Sequence, residues 1–371
     1  MTRLALVGAG KIGMAIAEML SATGDYAVTL FDRDETTFAR IGAPGLRYQS
    51  LLVENPKALA AALGGHDIVV NAGPYHLAPA IAGAAKDVHA HYFDLTEDVE
   101  STRAVARLAE RATTAFVPQC GLAPGFVSIA AMDLACRFEK LRDLSLRVGA
   151  LPLYPTNALR YNLTWSTEGL INEYLNPCAA VVDGHLAEVP ALEELESLSL
   201  DGVVYEAFNT SGGLGTLCDT LVGKVETLNY KTVRYPGHRD IIKMLVKDLR
   251  LGRRRDVLKD VLETAIPMTL QDVVLVFVSA SGMREGRLTQ ESDSRKIYAG
   301  EIAGVRRSAI QITTAAGVCT MVDLMVAGKL PRQGFVRQEQ ASLADVLANR
   351  FGRIFDGKPL ALKGSAPALV A

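Results

Sequence analysis

The first apolar run of this chain ends in three glycines, and that junction limits its fold more than any other feature. Leu4 to Val7 reads as a strand, Gly8, Gly10 and Gly13 fit G-x-G-x-x-G, and Ala15 to Leu20 continues as a helix. A second apolar strand, Ala27 to Phe31, ends in Asp32, 19 residues after Gly13. Each glycine has a separate task. Gly8 permits the tight turn, Gly10 lets an anion approach the backbone, and Gly13 lets the helix pack on the sheet. The helix N-terminus then aims its N–H groups at a pyrophosphate. Gly8, Gly10, Lys11, Ile12 and Gly13 are therefore assigned to a dinucleotide, with Asp32 accepting hydrogen bonds from the adenosine ribose hydroxyls.

Asp32 also bears on which dinucleotide binds. A 2′-phosphate beside a carboxylate would be repelled, which favours NAD over NADP. Arg33 follows directly and could swing toward a 2′-phosphate, stack on adenine or stay in solvent.

The 371 residues carry a net charge of −2, so neither nucleic acid nor an anionic membrane is an expected partner. Arg253, Arg254 and Arg255 form one basic run, best read as a solvated turn. Five cysteines without C-x-x-C spacing suggest a reducing cytoplasm and no metal site. The chain enters its first strand at once, which leaves no room for a signal peptide. Apolar runs such as Val273 to Ala280 are too short to span a bilayer.

Strands and helices alternate up to about Ala123. A helix over Pro56–Leu63, a strand over Asp67–Asn71 and a helix over Ala78–Asp87 follow the first two strands. Then come a strand over His91–Asp94, a helix through Val99 to Ala112 and a strand over Ala115–Val117. This spacing predicts a doubly wound parallel sheet of Rossmann type. After Pro124 comes a helix, Phe126–Phe138, and then period-two alternation over Leu144–Val148, Arg160–Trp165, Val203–Asn209, Val225–Val233, Asp272–Ser281 and Arg287–Tyr298. Long alternating strands suggest a mixed sheet with one face covered. Helical pattern returns from Arg307 to Gly328 and over Leu343–Phe355. The reading is an α/β protein with a discontinuous Rossmann domain (1–123 and 308–371) and an α+β substrate and dimerisation domain (124–307). The Ala- and Pro-rich end beyond Gly364 is expected to fray.

Ligands of such sheets bind at the carboxyl ends of the strands. The fourth strand runs into Asn71-Ala72-Gly73-Pro74-Tyr75, a sharp turn suited to the nicotinamide ribose, with Asn71, Gly73 and Pro74 on the cofactor. The fifth ends in Asp94, a carboxylate that must be paired or ligand-facing if buried. Thr96 is a possible cap for a helix starting near Glu97. Gly121 to Gly125 would form a rigid hinge. In the second lobe, Tyr161 to Gly169 sets the single Trp165 beside polar groups and Glu168. Glu206 to Gly213 ends a strand in Thr210, Ser211 and glycines. Lys231 to His238 groups Arg234, Tyr235 and His238.

These residues resemble the saccharopine dehydrogenase family. The G-A-G-x-x-G start, the Asn-x-Gly-Pro-Tyr turn, the His-Tyr-x-Asp strand and the Pro-Gly hinge carry the likeness. The middle lobe is similar to the lysine 6-dehydrogenase branch through Tyr161–Ser166, Glu168–Leu170, Glu188–Pro190, Glu206–Phe208, Thr210–Gly213 and Tyr230–His238. The family commonly sets a Gly between the Thr and Glu after the fifth strand; here Thr96 and Glu97 are adjacent, so Glu97 is not carried over. The likeness covers roughly residues 1–250 and implies a homodimer and NAD-linked oxidation of an amine carbon.

Such chemistry passes hydride to a nicotinamide and needs a group that moves a proton near neutrality. His238 is the candidate base, with Asp94 and Glu168 next in line. Arg234 is the candidate clamp for a substrate α-carboxylate, or else a partner of Glu226. Trp165 and Tyr75 would supply an apolar wall, with Tyr235 and Thr210 completing the substrate site. The substrate suggested is L-lysine, oxidised at its ε-carbon to a semialdehyde that cyclises. Rivals are a saccharopine-type or carboxynorspermidine-type reductase, for which Arg160 and Arg239 could bind further carboxylates, and a non-catalytic NAD(P) sensor. A sugar oxidoreductase would show Glu-Lys-Pro where Asp94-Leu95-Thr96 stands, and a semialdehyde dehydrogenase would need Cys120 as nucleophile.

Overall fold

The computed structural model describes residues 1–34 and 46–360, and the stretch beyond Gly364 lies outside them. The chain divides into two compact units. One comprises Met1–Ile129, Glu301–Arg307 and the chain from Gln311 on; the other comprises Ala130–Gly300 and Ser308–Ile310.

The first unit is built on β1 (Thr2–Val7), α1 (Lys11–Thr23), β2 (Tyr26–Asp32), β3 (Arg47–Ser50), α2 (Pro56–Leu63), β4 (Ile68–Asn71), α3 (Ala78–Asp87), β5 (His91–Asp94), α4 (Val99–Ala109) and β6 (Ala115–Val117). Its helices begin where local chemistry dictates. Asn55 caps α2 by accepting from the Ala58 N–H at 3.1 Å, with Pro56 in the first turn. Asp98 caps α4 by accepting from the Ser101 N–H at 2.7 Å. The expected cap, Thr96, stands two residues earlier and accepts instead from the Asp98 N–H at 3.1 Å. The helix ends at Ala109, three residues short of the expected Ala112.

The helix α5 (Phe126–Ala135) follows β6, and the short strands β15 (Gly300–Ile302), β16 (Val305–Arg307) and β17 (Gly334–Phe335) come late in the chain. The sheet order is β17-β6-β5-β4-β1-β2-β3, parallel throughout. The connections reverse direction between β1 and β4, the point where this architecture takes its ligand. The strand β17 (Gly334–Phe335) comes from the distant carboxyl-terminal part and pairs with β6, so the Rossmann unit is discontinuous. Its two residues are too few to carry a readable pattern.

The second unit holds a mixed sheet. Its elements are β7 (Lys140–Pro152), α6 (Thr167–Leu175), β8 (Cys178–Val182), β9 (His185–Val189), β10 (Glu196–Leu200), β11 (Val203–Asn209), α7 (Leu217–Leu221), β12 (Thr227–Arg234), α8 (His238–Lys243), α9 (Arg255–Ala265), β13 (Asp272–Arg284) and β14 (Arg287–Tyr298). The order is β10-β11-β12-β7-β13-β14, with β8 on β12 and β9 on β8. Only β12 and β7 are parallel in that row. Leu258 and Leu262 of α9 pack with Tyr161, Tyr174, Phe208 and Ile242 in one core.

The expected strand over Arg160–Trp165 does not form. Asn157 holds the Tyr161 backbone at both ends, at 2.7 and 3.2 Å, and Arg160 sits at φ +51°. That turn overrides the alternating pattern and leaves one bridge, Leu163 with Met268. Asp272 is buried and accepts from the Ala309 and Ile310 N–H groups at 2.5 and 3.1 Å, capping the long helix Ala309–Val326. Contrary to the expectation from apolar runs, that helix is long and apolar enough to cross a membrane by length and composition; 78% of it is buried in the protein.

Candidate functional site

At the carboxyl edge of the parallel sheet the backbones of β1, β4 and α1 meet without room for side chains. Gly8 has φ +107°, and a Cβ there would lie 2.8 Å from the Ala72 and Gly73 backbone. A Cβ on Gly13 would lie 1.9 Å from the Gly8 carbonyl oxygen. Gly10 differs: a Cβ there would meet nothing within 4 Å. It is the exposed N-cap of α1, and no side chain caps the helix. Packing thus requires Gly8 and Gly13, while Gly10 is small toward open space, where an anion can reach the helix N-terminus. Lys11 and Ile12 form the first turn behind it. Asp32 accepts from the Ala9 N–H at 2.6 Å and the Asp34 N–H at 3.0 Å, which holds its carboxylate against the glycine loop. Arg33 is exposed beside it.

The turns after β4, β5 and β6 are tied by buried polar groups. Asn71 Oδ1 accepts from the Gly73 N–H at 2.9 Å, and Asn71 Nδ2 donates to the Tyr92 hydroxyl at 3.3 Å. That hydroxyl donates to Asp94 Oδ2 at 2.9 Å. Asp94 Oδ1 accepts from the Thr96 and Gln119 N–H groups at 3.1 and 2.9 Å. Asp94 is 0% exposed, and burial pushes its carboxyl up to about 6 against the pull of those donors. Its oxygens orient loops rather than face a ligand. Pro74 is exposed and Tyr75 half-buried. Cys120 is fully buried, its thiol pushed up by burial and by Asp94. A thiol in that setting is no nucleophile.

In the second unit, segments far apart in sequence converge. Arg234 Nε donates to the Tyr174 hydroxyl at 3.2 Å, and that hydroxyl lies 2.9 Å from His238 Nε2. His238 Nδ1 lies 3.0 Å from the Leu159 carbonyl oxygen. Burial and the Arg234 charge favour the neutral imidazole. Its Leu159 contact then requires the proton on Nδ1, so Nε2 accepts from the Tyr174 hydroxyl, which itself accepts from the guanidinium. Arg234 lies 5.0 Å from the centre of the Tyr161 ring, and Phe208 stacks near His238. The Glu206 carboxylate accepts from the Gly237 and Arg239 N–H groups at 2.8 and 2.7 Å, fixing the turn that carries His238. Ser211 donates to the Asn172 carbonyl oxygen at 3.0 Å, joining the Thr210 turn to α6. Buried polar atoms in these segments that form no hydrogen bond include Asn162 Oδ1, Asn209 Oδ1 and Thr210 Oγ1.

This geometry revises three expected roles. His238 is 1% exposed, and burial with the nearby Arg234 charge lowers its pKa to about 3. It is not poised to exchange a proton near neutrality. Arg234 uses Nη1 on Thr232 Oγ1 and the Val233 carbonyl oxygen, at 2.8 and 2.9 Å, and its Nη2 stands 3.7 Å from Glu173, not Glu226. It presents no open bidentate fork. Glu168 is 53% exposed in an ion pair with Lys259 at 2.7 Å, apart from the cluster. Trp165 is half-buried against the apolar core, and Tyr235 donates to the Pro152 carbonyl oxygen at 2.9 Å. Arg160 is exposed, and Arg239 pairs with Asp240. Tyr174 and Tyr92 were not among the expected site residues. Tyr92 lies inside the His-Tyr-x-Asp strand, so its neighbour Asp94 was the available signal; Tyr174 had none.

Comparison with known proteins places these features in context. Residues 4–117 match the saccharopine dehydrogenase NADP binding domain, and residues 121–353 match the saccharopine dehydrogenase C-terminal domain. The mitochondrial alpha-aminoadipic semialdehyde synthase of Mus musculus is 21% identical over 261 residues, covering 66% of this chain and 28% of that protein. The Bos taurus protein is 20% identical over 312 residues, 80% of this chain and 33% of its own length. The chain thus spans a third or less of the curated relatives it matches. Among solved structures, apo saccharopine dehydrogenase (L-Glu forming) from Saccharomyces cerevisiae superposes with a TM-score of 0.76 at 17% identity, covering 96% of each chain. Homospermidine synthase from Legionella pneumophila, in complex with NAD, gives 0.64 at 14% identity, covering 100% of this chain and 95% of that one. At these identities the likeness is one of fold.

Two outcomes follow from the geometry. Gly10→Ala should keep the wild-type melting temperature yet weaken dinucleotide binding by roughly tenfold or more, because the new methyl faces the approaching anion. Gly13→Ala should lower the melting temperature itself, since its Cβ overlaps backbone. Calorimetry and binding titrations on both variants read this, and equal behaviour of the two would contradict it. The second outcome concerns His238. Its folded pKa lies below the unfolded value, so its contribution is complete above about 6.5 and is lost as pH falls toward 3. Lowering the pH from 7 to 5 should reduce the unfolding free energy of wild type by about 2 kcal/mol more than that of His238→Gln, read by denaturant titration. Parallel pH profiles would show that the imidazole titrates normally.

Proposed function

This chain belongs to the saccharopine dehydrogenase family, and from that premise we propose an NAD-dependent dehydrogenase that oxidises the ε-carbon of L-lysine. Binding of a pyridine nucleotide rests on the glycine loop, with its packing glycines and its open Gly10. Asp32, whose carboxylate accepts from the Ala9 N–H of the glycine loop, supports NAD, since a 2′-phosphate beside it would be repelled. The observation that carries the substrate reading is the convergence of the Tyr161, Thr210 and Arg234–His238 segments into one cluster. Those segments bear the likeness to the lysine 6-dehydrogenase branch. Unsatisfied buried polar atoms at Asn162, Asn209 and Thr210 support a ligand role there. Trp165, half-buried in the second unit, offers apolar surface to an aliphatic substrate.

The reaction balances as R–CH2–NH3+ + NAD+ + H2O → R–CHO + NH4+ + NADH + H+. The cofactor, when bound, accepts the hydride. The ammonium must first lose a proton, and an unperturbed lysine ammonium holds it until about pH 10.4. The rate should therefore climb toward alkaline pH without a base on His238. A homodimer joined through the second unit is part of the proposal. The twelve-residue strand β14 lies at one end of its sheet, with Leu288 and Tyr298 exposed.

A second reading has its own support in the names of the relatives, which include an L-Glu-forming saccharopine dehydrogenase and an alpha-aminoadipic semialdehyde synthase. In that case a semialdehyde and glutamate would be joined reductively. Absorbance of NADH distinguishes the two. L-Lysine with NAD should yield NADH, faster at alkaline pH and at least about tenfold better than with NADP. No NADH from lysine, but consumption of NAD(P)H with the semialdehyde plus glutamate, would move the assignment to the second reading.

A further inference from the structure

We propose that the Tyr92 hydroxyl is a positioning group for the nicotinamide half of the cofactor site, a proposal that rests on the dinucleotide reading above. A doubly wound sheet binds the two halves of a dinucleotide on either side of its switch point. Here Asp32, at the end of β2, marks the adenosine side, and the turns after β4, β5 and β6 lie on the other. Tyr92 stands under those turns. Its ring is 0% exposed and packs 5.6 Å from Phe116, work that a phenylalanine would do equally well. The hydroxyl is a different matter, because a buried hydroxyl costs free energy unless it is paired.

Its pairing adds a side-chain link between the ends of β4 and β5, whose backbones already pair with Asn71 opposite Asp94. It accepts from Asn71 Nδ2 and donates to Asp94 Oδ2, with the Ala78 carbonyl oxygen at 3.4 Å as a weaker acceptor. Asn71 in turn holds the Gly73 N–H, and Asp94 holds the Thr96 and Gln119 N–H groups. Three loop backbones are thereby set by one phenol. Without the hydroxyl, Asn71 Nδ2 becomes a buried donor with no acceptor. Its amide is then free to turn, which releases Gly73, and Asp94 loses one of the donors that orient it. None of these bonds touches Gly8, Gly10, Gly13 or Asp32, and the Ala72 backbone on which Gly8 packs is held separately by its N–H on the Val7 carbonyl oxygen at 2.8 Å, so the adenosine side should feel little of the change.

The test separates the halves of the ligand. NADH and ADP-ribose are titrated calorimetrically against wild type, Tyr92→Phe and Asn71→Ala. Tyr92→Phe should weaken NADH about tenfold while ADP-ribose stays within about twofold of wild type. Asn71→Ala should show the same split. Hydrogen exchange without ligand should quicken at the Gly73 and Thr96 amides in Tyr92→Phe and stay unchanged in β1 and α1. The exchange readout locates the cause of the binding shift in the two loops. Unchanged NADH affinity, or weaker NADH binding with unchanged exchange at both amides, would overturn the proposal. So would equal weakening of NADH and ADP-ribose, which would mark a general loss of structure. Wild-type protein that binds neither ligand would overturn the dinucleotide reading underneath.

Discussion

The structure of the first unit depends on backbone meeting backbone at one place. Gly8 leaves no room for a side chain beside Ala72 and Gly73, and Gly13 leaves none beside Gly8. β1, β4 and α1 are thus locked together at the point where the sheet order reverses. Everything a dinucleotide needs is then set around that lock. The start of α1 faces outward through Gly10, and Asp32 is drawn to the Ala9 N–H. The turn after β4 lies on the opposite side. A constraint of packing becomes a constraint on where a ligand can lie.

Both units handle buried polar groups in the same way. In the first, Asn71, Tyr92 and Asp94 form a chain that ends on loop N–H groups. In the second, Arg234, Tyr174 and His238 form a chain that ends on the Leu159 carbonyl oxygen. Each chain has a phenol at its centre, accepting on one side and donating on the other. Such chains fix protonation states as well as positions. Burial sets the charge states: it leaves His238, by residue type the natural base, a neutral acceptor beside Arg234, and it pushes the Asp94 carboxyl up to about 6 against the pull of its donors.

Much of this was legible in the sequence, for reasons that differ by region. Ala78–Asp87, His91–Asp94 and Ala115–Val117 were read with their observed ends, because short apolar strands and helices alternate there at fixed spacing, with Pro79 in the first turn of the helix. Asp32 and the glycines were legible because each answers a local requirement. β17 was not, since it is made by pairing with β6 rather than by its own pattern. The segment Arg160–Trp165 alternates like a strand, yet Asn157 turns it. At the candidate site the residue types were readable and their states were not. Arg234, Tyr235 and His238 stand out as a group, but burial decides whether a His is a base or an acceptor. Burial comes from α6, Tyr161 and Phe208, many residues away. Tyr174 was invisible for the same reason, being one tyrosine in a helix whose partners lie 60 and 64 positions on.

The central claim is that hydride leaves the ε-carbon of lysine for a nicotinamide bound at this sheet edge. Lysine deuterated at the ε-carbon tests it most directly. The protein is incubated with NAD and the labelled amino acid, and the reduced cofactor is examined by mass spectrometry. The account predicts NADH heavier by one deuterium, and unlabelled NADH from lysine deuterated only at the α-carbon. Label arriving from the α-carbon, or none from the ε-carbon, would contradict it.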